Sequence, residues 1–225
     1  MGDWRDAALW TLLGTQCVGC DSPGRPWCQR CTACVAQAVD PISTGDDPPL
    51  IVCCRYEDPI PDAIVGFKDR GVGSLRPLLG HVLAAGLLHA MGSAPVDRGP
   101  TSAEPPTVVP VASSSSAVRR RGFDHMWQVA RFAAAVVHLP ATRVLRTRPR
   151  ADQSRLSFAA RRRNLEESMR VRAPGRGPVI LVDDVRTSGA TLRESRRALA
   201  AGGYSVMAQV VIAGSIVDPT CGQGR

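Results

Sequence analysis

Two carboxylates beside an anion cradle are an unusual combination, and this chain carries them consecutively. Asp183 and Asp184 are followed by Arg186-Thr187-Ser188-Gly189-Ala190-Thr191. Small residues and hydroxyls let a loop backbone approach an anion closely, and a helix that begins there adds unpaired N–H groups and a positive dipole end. The aspartates would repel the same anion unless the ligand also carries hydroxyls. A ribose 5-phosphate meets both demands: the loop takes the phosphate and the carboxylates accept from two ring hydroxyls, as charge-assisted bonds. A second group is sulfur. Cys17-x2-Cys20 and Cys28-x2-Cys31 are two tight knuckles, each able to aim two thiolates at one tetrahedral Zn2+ ion. Cys34 is a fifth sulfur that could replace Cys31 or simply pack on a helix.

The elements around the aspartates follow from periodicity. Val179 to Val182 is a continuous β-branched run, which suits a strand buried on both faces of a parallel sheet. Its carboxyl end, where Asp183 and Asp184 stand, is where open α/β sheets place ligands. Leu192, Ser195 and Leu199 then repeat at helical spacing. Upstream, Ala7 to Leu13 reads as a short apolar helix or extension, and Asp40 to Pro49 as a linker rich in turn-forming residues. Leu50 to Tyr56 reads as a strand in which Cys53 and Cys54 are buried small hydrophobes. Ile60, Ile64 and Phe67 mark a helix that stops at Gly71. A second helix spans Leu75 to Met91, a surface loop Gly92 to Pro106, and a strand Thr107 to Val111. The serine run Ser113 to Ser116 leads through Arg119-Arg120-Arg121-Gly122 into a helix ending near Val137, and reads as a flexible loop able to close over a bound anion. Ser154 to Met169 reads as a basic surface helix. Ser205 to Ala213 supplies a final strand, and Asp218 to Arg225 a tail.

With 225 residues the chain can bury one good core and a small appendage. The net charge of +8 comes almost wholly from arginine, Lys68 being the only lysine, and favours anionic partners. Scarce aromatics argue against an extensive base-stacking surface. The N-terminus lacks a secretory pattern, and the most apolar later stretch, His81 to Met91, is too short to span a bilayer. These features predict a soluble cytoplasmic protein without membrane insertion, whose cysteines serve as thiolate ligands rather than disulfides.

The stretch Val179 to Thr191 resembles the phosphoribosyl pyrophosphate (PRPP) motif of type I phosphoribosyltransferases. Further residues resemble the ComF/ComFC family over nearly the whole chain: the paired Cys-x2-Cys, Lys68-x2-Gly71, Pro110-Val111 with Arg119-x-Arg121-Gly122-Phe123, and Gln153-x2-Leu156-x4-Arg161-x2-Asn164. The chain departs from that pattern at Asp124, where the family has Asn, and at His125, where it has Gln. It departs also at Asp58, commonly Gly, and at Pro61, commonly basic. Asp124 brings a negative charge close to the arginine segment.

The resemblance implies a type I phosphoribosyltransferase fold, with a mostly parallel five-stranded sheet flanked by helices and a small N-terminal zinc ribbon. The division would be residues 1–48 for ribbon and linker and 49–225 for the phosphoribosyltransferase-like domain. It implies that PRPP binds with Mg2+ on Asp183, Asp184, Arg186, Thr187, Ser188, Gly189, Ala190 and Thr191. Lys68, Arg119, Arg121 and Gly122 would lie on the pyrophosphate side, and Cys17, Cys20, Cys28 and Cys31 would hold structural Zn2+. The implied activity is transfer of a phosphoribosyl group with release of pyrophosphate; the acceptor and any general acid or base are unnamed, and His125 and His138 read as incidental. Alternatives are a non-catalytic PRPP-binding protein, or a single-stranded-DNA-handling factor that works with a DNA-uptake helicase, since the family is linked in several bacteria to natural transformation.

Overall fold

The computed structural model describes residues 14–92, 104–147 and 168–215. A five-stranded sheet organises them. β1 (Ile42–Ser43), β2 (Leu50–Arg55), β3 (Thr107–Pro110), β6 (Pro178–Arg186) and β7 (Ser205–Gly214) lie in the order β1-β2-β7-β6-β3. All neighbours are parallel except β1, which pairs antiparallel with β2. The expected α/β architecture with a mostly parallel five-stranded sheet is therefore present. β4 (Leu145–Thr147) and β5 (Met169–Val171) form a separate antiparallel ribbon.

The helices are α1 (Gln29–Gln37), α2 (Ile60–Lys68), α3 (Leu75–Gly92), α4 (Ser115–Arg121), α5 (His125–Val136) and α6 (Ala190–Ala201). Alternation along β6 separates two cores. Ile180 and Val182 join the apolar stripes of α2, α3 and α5 in one cluster, while Val179 and Leu181 pack with Leu192 and Leu199 of α6 and with Leu145 and Met169 of the ribbon. Burying both faces explains why β6 reads as an unbroken apolar run. It also sends Asp183 and Asp184 to opposite faces of the sheet.

Several elements differ from expectation for identifiable reasons. β6 runs on through both aspartates to Arg186, because β7 is long enough to pair with it throughout, Asp183 opposite Val211 and Arg186 opposite Gly214. The serine–arginine segment is a helix rather than a loop. Ser114 caps α4 by accepting from the Ala117 N–H at 3.2 Å, and Gly122 ends it with φ 79°. Asp124 caps α5 by accepting from the Trp127 N–H at 3.2 Å. Within the segment read as a linker, Ile42 and Ser43 form the edge strand β1. The readings for Ala7 to Leu13, Gln153 to Asn164 and the C-terminal tail fall outside the described residues, as does most of Gly92 to Pro106. Among the described residues, no helix is long and apolar enough to cross a membrane.

Candidate functional site

The carboxyl end of β6 gathers residues from four elements. Asp184 is 9 % exposed, and its Oδ2 takes two donors, Lys68 Nζ from the end of α2 at 2.8 Å and His125 Nε2 from the start of α5 at 3.1 Å. Its Oδ1 accepts from the Val185 N–H at 2.8 Å. Arg121 Nη1 lies 3.4 Å from His125 Nδ1. An arginine can only donate, so Nδ1 accepts and the ring proton sits on Nε2, facing Asp184. Arg121 is held in turn by Asp69, with Nε at 3.1 Å and Nη2 at 3.0 Å from the same oxygen. Ser113 donates to Asp124 at 3.1 Å and lies 3.5 Å from His125 Nδ1.

The two carboxylates are electrostatically unlike. Burial would raise Asp184, but the hydrogen bond from His125, with the charge and hydrogen bond of Lys68, outweighs it and holds the carboxyl well below the usual range. Asp183, 8 % exposed, accepts from the Asp184 N–H on Oδ1 at 2.9 Å. Burial first and the adjacent Asp184 charge second push it well above the ordinary value. Asp184 is thus a fixed, ionised anchor. Asp183 is a buried acceptor that makes no salt bridge among the described residues and gains from any donor that arrives.

Beyond Arg186 the chain turns into α6 through Gly189, whose φ of 69° lies in the left-handed region. Thr187 and Ser188 are exposed at this turn, and Ser188 Oγ accepts from the Ala190 N–H at 3.4 Å. Arg193 reaches back from the first turn of α6 to donate to the Ser188 carbonyl at 3.0 Å, while Arg186 lies 3.8 Å from Asp46. Exposed hydroxyls and the start of a 12-residue helix therefore stand immediately past the aspartates.

The chain is similar to solved structures. It is similar to an allosteric regulatory enzyme of purine biosynthesis, at 21 % identity over 62 % of this chain with TM-score 0.39, and spans only 26 % of that protein. It is similar to orotate phosphoribosyltransferase from Aeropyrum pernix, at 16 % identity over 81 % of this chain and 80 % of the other, with TM-score 0.38. A third similarity is to adenine phosphoribosyltransferase from Leishmania tarentolae, at 11 % identity over 67 % of this chain and 75 % of the other, with TM-score 0.37. No family model matches the chain, and no curated protein matches it.

The structure brings Lys68 and Arg121 into the network around Asp184 but leaves Arg119 exposed on α4, without a described partner. Gly122 serves as the end of that helix. His125, which reads as incidental in sequence, is a direct partner of Asp184. Its position fourteen residues past Val111 and at a helix start carries no signal of that contact, because the pairing spans 59 residues.

The four knuckle cysteines form a second constellation. Their Sγ atoms all lie within 4.8 Å of one another, with Cys17–Cys31 at 3.8 Å and Cys20–Cys28 at 3.7 Å. A tetrahedron of Zn–S bonds near 2.3 Å has edges of about 3.8 Å, so the donor set fits zinc. Backbone N–H groups of Cys28 and Cys31 donate to Cys17 and Cys28 Sγ at 3.3 and 3.4 Å, orienting the sulfurs. A hydrogen bond with the Ser22 hydroxyl pulls Cys20 down to about 6, whereas burial raises Cys17 and Cys31. Cys34 is exposed and outside the cluster. Gly19 is required here, since a Cβ would sit 2.6 Å from the Trp27 ring and 3.2 Å from Cys31 Sγ. Cys17, Trp27, Cys31 and Val35 belong to the same buried cluster as Ile60, Phe67 and Leu75, which seats the cysteine lobe on the helical face of the sheet.

Proposed function

We propose that the chain is a PRPP-binding phosphoribosyltransferase of the type I fold, made of an N-terminal zinc module (residues 1–48) and a phosphoribosyltransferase-like domain (49–225). One observation carries this reading. Two buried carboxylates of opposite electrostatic character end the central strand β6 and run directly into a glycine turn and helix start. That arrangement matches vicinal hydroxyls next to a phosphate. The finer assignment to the ComF/ComFC group is supported by the order of its motifs and by the clustering of the four knuckle cysteines.

In this reading PRPP binds as its magnesium complex. Its 5-phosphate lies on Thr187 to Thr191, where loop amides, hydroxyls and the α6 dipole meet it. Asp183 and Asp184 accept from the ribose hydroxyls, which brings further donors to the buried Asp183. The bond from the anomeric carbon to the diphosphate oxygen breaks with its electron pair, giving pyrophosphate, and a nucleophile on the acceptor forms the new bond to that carbon. The carboxylates stabilise positive charge that builds on the ribose, and fixed cations stabilise the leaving group. Lys68 and His125 act as positioning residues, holding Asp184 ionised and fixed in place.

Calorimetric titration of the zinc-loaded chain with Mg2+ and PRPP tests the reading. We expect saturable binding in wild type, weakened at least tenfold in Asp183→Asn/Asp184→Asn. Equal affinity in the double variant would overturn the pocket assignment. A coupled pyrophosphate assay across nucleobases then identifies the acceptor.

A further inference from the structure

The last turn of α2 delivers Lys68 to Asp184, and helix propensity alone does not account for its composition. Gly66 stands inside the helix, two residues before Lys68, where glycine is destabilising relative to alanine. The reason is a close approach. A Cβ on Gly66 would stand 2.9 Å from Val18 Cγ2 and 2.9 Å from Leu75 Cδ1. Leu75 belongs to the neighbouring helix α3, whereas Val18 is the first residue inside Cys17-x2-Cys20. The first cysteine knuckle thus rests directly on the turn that carries Lys68.

Both sides of this contact are braced. Val18 is β-branched and stiff at χ1. Its N–H donates to the Pro26 carbonyl at 3.0 Å, and the N–H groups of Cys20 and Asp21 both donate to the Cys17 carbonyl, at 3.3 and 2.8 Å. Cys17 and Cys20 belong to the four-sulfur cluster, so an ion held there pins Val18 from both flanks. Without a cation, thiolates within 4.8 Å of one another repel, and the knuckle loses that brace. On the helix side, Phe67 packs on Phe123 with ring centroids 5.4 Å apart, and the Gly66 carbonyl accepts from the Val72 N–H at 3.0 Å. From this turn Lys68 Nζ reaches Asp184 Oδ2 at 2.8 Å.

We propose that the Cys17–Cys20 knuckle positions the carboxylate site, with Val18 the residue through which bound zinc fixes the end of α2, Lys68 and so Asp184. Zinc occupancy and ligand affinity are linked through this contact. The link to PRPP rests on the function proposed above; the link to Lys68 does not.

Lys68 is the only lysine of the chain, so isotope-labelled lysine gives a single side-chain NMR signal that reports its pairing. Asp184→Asn supplies the reference position for loss of the ion pair. In the full zinc-loaded chain, Val18→Ala should move the signal more than half of the way to that reference. It should also weaken PRPP binding about threefold or more, the scale of coupling between residues in contact. Val65→Ala, on the exposed side of the same helix, should change neither. Removing zinc from wild type should move the signal in the same direction, as should Gly66→Ala, whose methyl meets Val18. In Val18→Ala/Gly66→Ala the added Cβ stands 3.9 Å from the Cβ at position 18, an ordinary contact, and the signal should return to its wild-type position. That recovery separates positioning from a general loss of stability. A Lys68 signal unmoved by Val18→Ala, an equal displacement by Val65→Ala, or no recovery in the double variant would each overturn the proposal. A signal that moves and recovers as expected in a chain that binds no PRPP upholds the link to Lys68 and overturns instead the function proposed for the site.

Discussion

Asp183→Asn should make the protein more stable at neutral pH while removing its ligand affinity. Asp183 is buried on β6, where its Oδ1 accepts from the Asp184 N–H. Asparagine retains that acceptor and the shape. What it removes is a carboxylate that burial and the Asp184 charge both disfavour. An incompletely partnered buried polar group costs about 1–3 kcal/mol, and we expect a gain of that size, or about 2–10 °C in Tm for a chain of this length. The pH dependence follows from the raised folded value. Below the unfolded carboxyl value of about 3.9, both forms are protonated and wild type keeps its full stability. As pH rises through the folded value, wild type loses the increment and the variant does not. The gap should therefore be absent below about pH 3.5 and open above about pH 4. Urea unfolding, followed by fluorescence of the buried Trp27, measures both limbs. A variant no more stable than wild type at pH 7, or a gap that persists unchanged at acid pH, would refute the reasoning.

Further outcomes are expected. Lys68→Met should destabilise the chain by about 1–2 kcal/mol at pH 7, less than for a wholly orphaned buried charge because His125 still donates to Asp184. Since Asp184 titrates below its unfolded value, the deficit should shrink as pH falls below about 4; an unchanged denaturation midpoint at pH 7 would exclude the pairing. The chain should carry one zinc per molecule. Chelation should lower Tm by several degrees, because Cys17 and Cys31 share their buried cluster with α2 and α3, and Gly19→Ala should weaken metal retention. Metal analysis that finds no zinc, or melting indifferent to chelator, would remove the metal from the account.

The reading of individual residues shows where sequence suffices. The β6 run, the aspartates at its end and the helical stripe beyond them are legible because each is a local pattern: β-branched continuity, a charge at a strand end, a period of 3.6. The knuckle cysteines are legible for the same reason, spacing within a turn being set by backbone geometry alone. The serine–arginine segment reads as a loop yet folds as a helix, because cap residues decide it. Ser114 and Asp124 each satisfy a helix start, and composition hides that.

Local order thus determined the strand–turn–helix of the aspartate site and the tetrahedral sulfur set. Tertiary structure alone decided the rest, since it depends on which distant groups meet. It brought Lys68 and His125 onto one oxygen of Asp184 from 116 and 59 residues away, and gave Asp183 no salt bridge among the described residues. It turned Arg119 outward and drew Arg121 to Asp69. It also set Arg146 opposite Arg170 across a two-stranded ribbon. Charge on a side chain is written in the sequence, but its partner, and therefore its energy, exists only once the chain has folded.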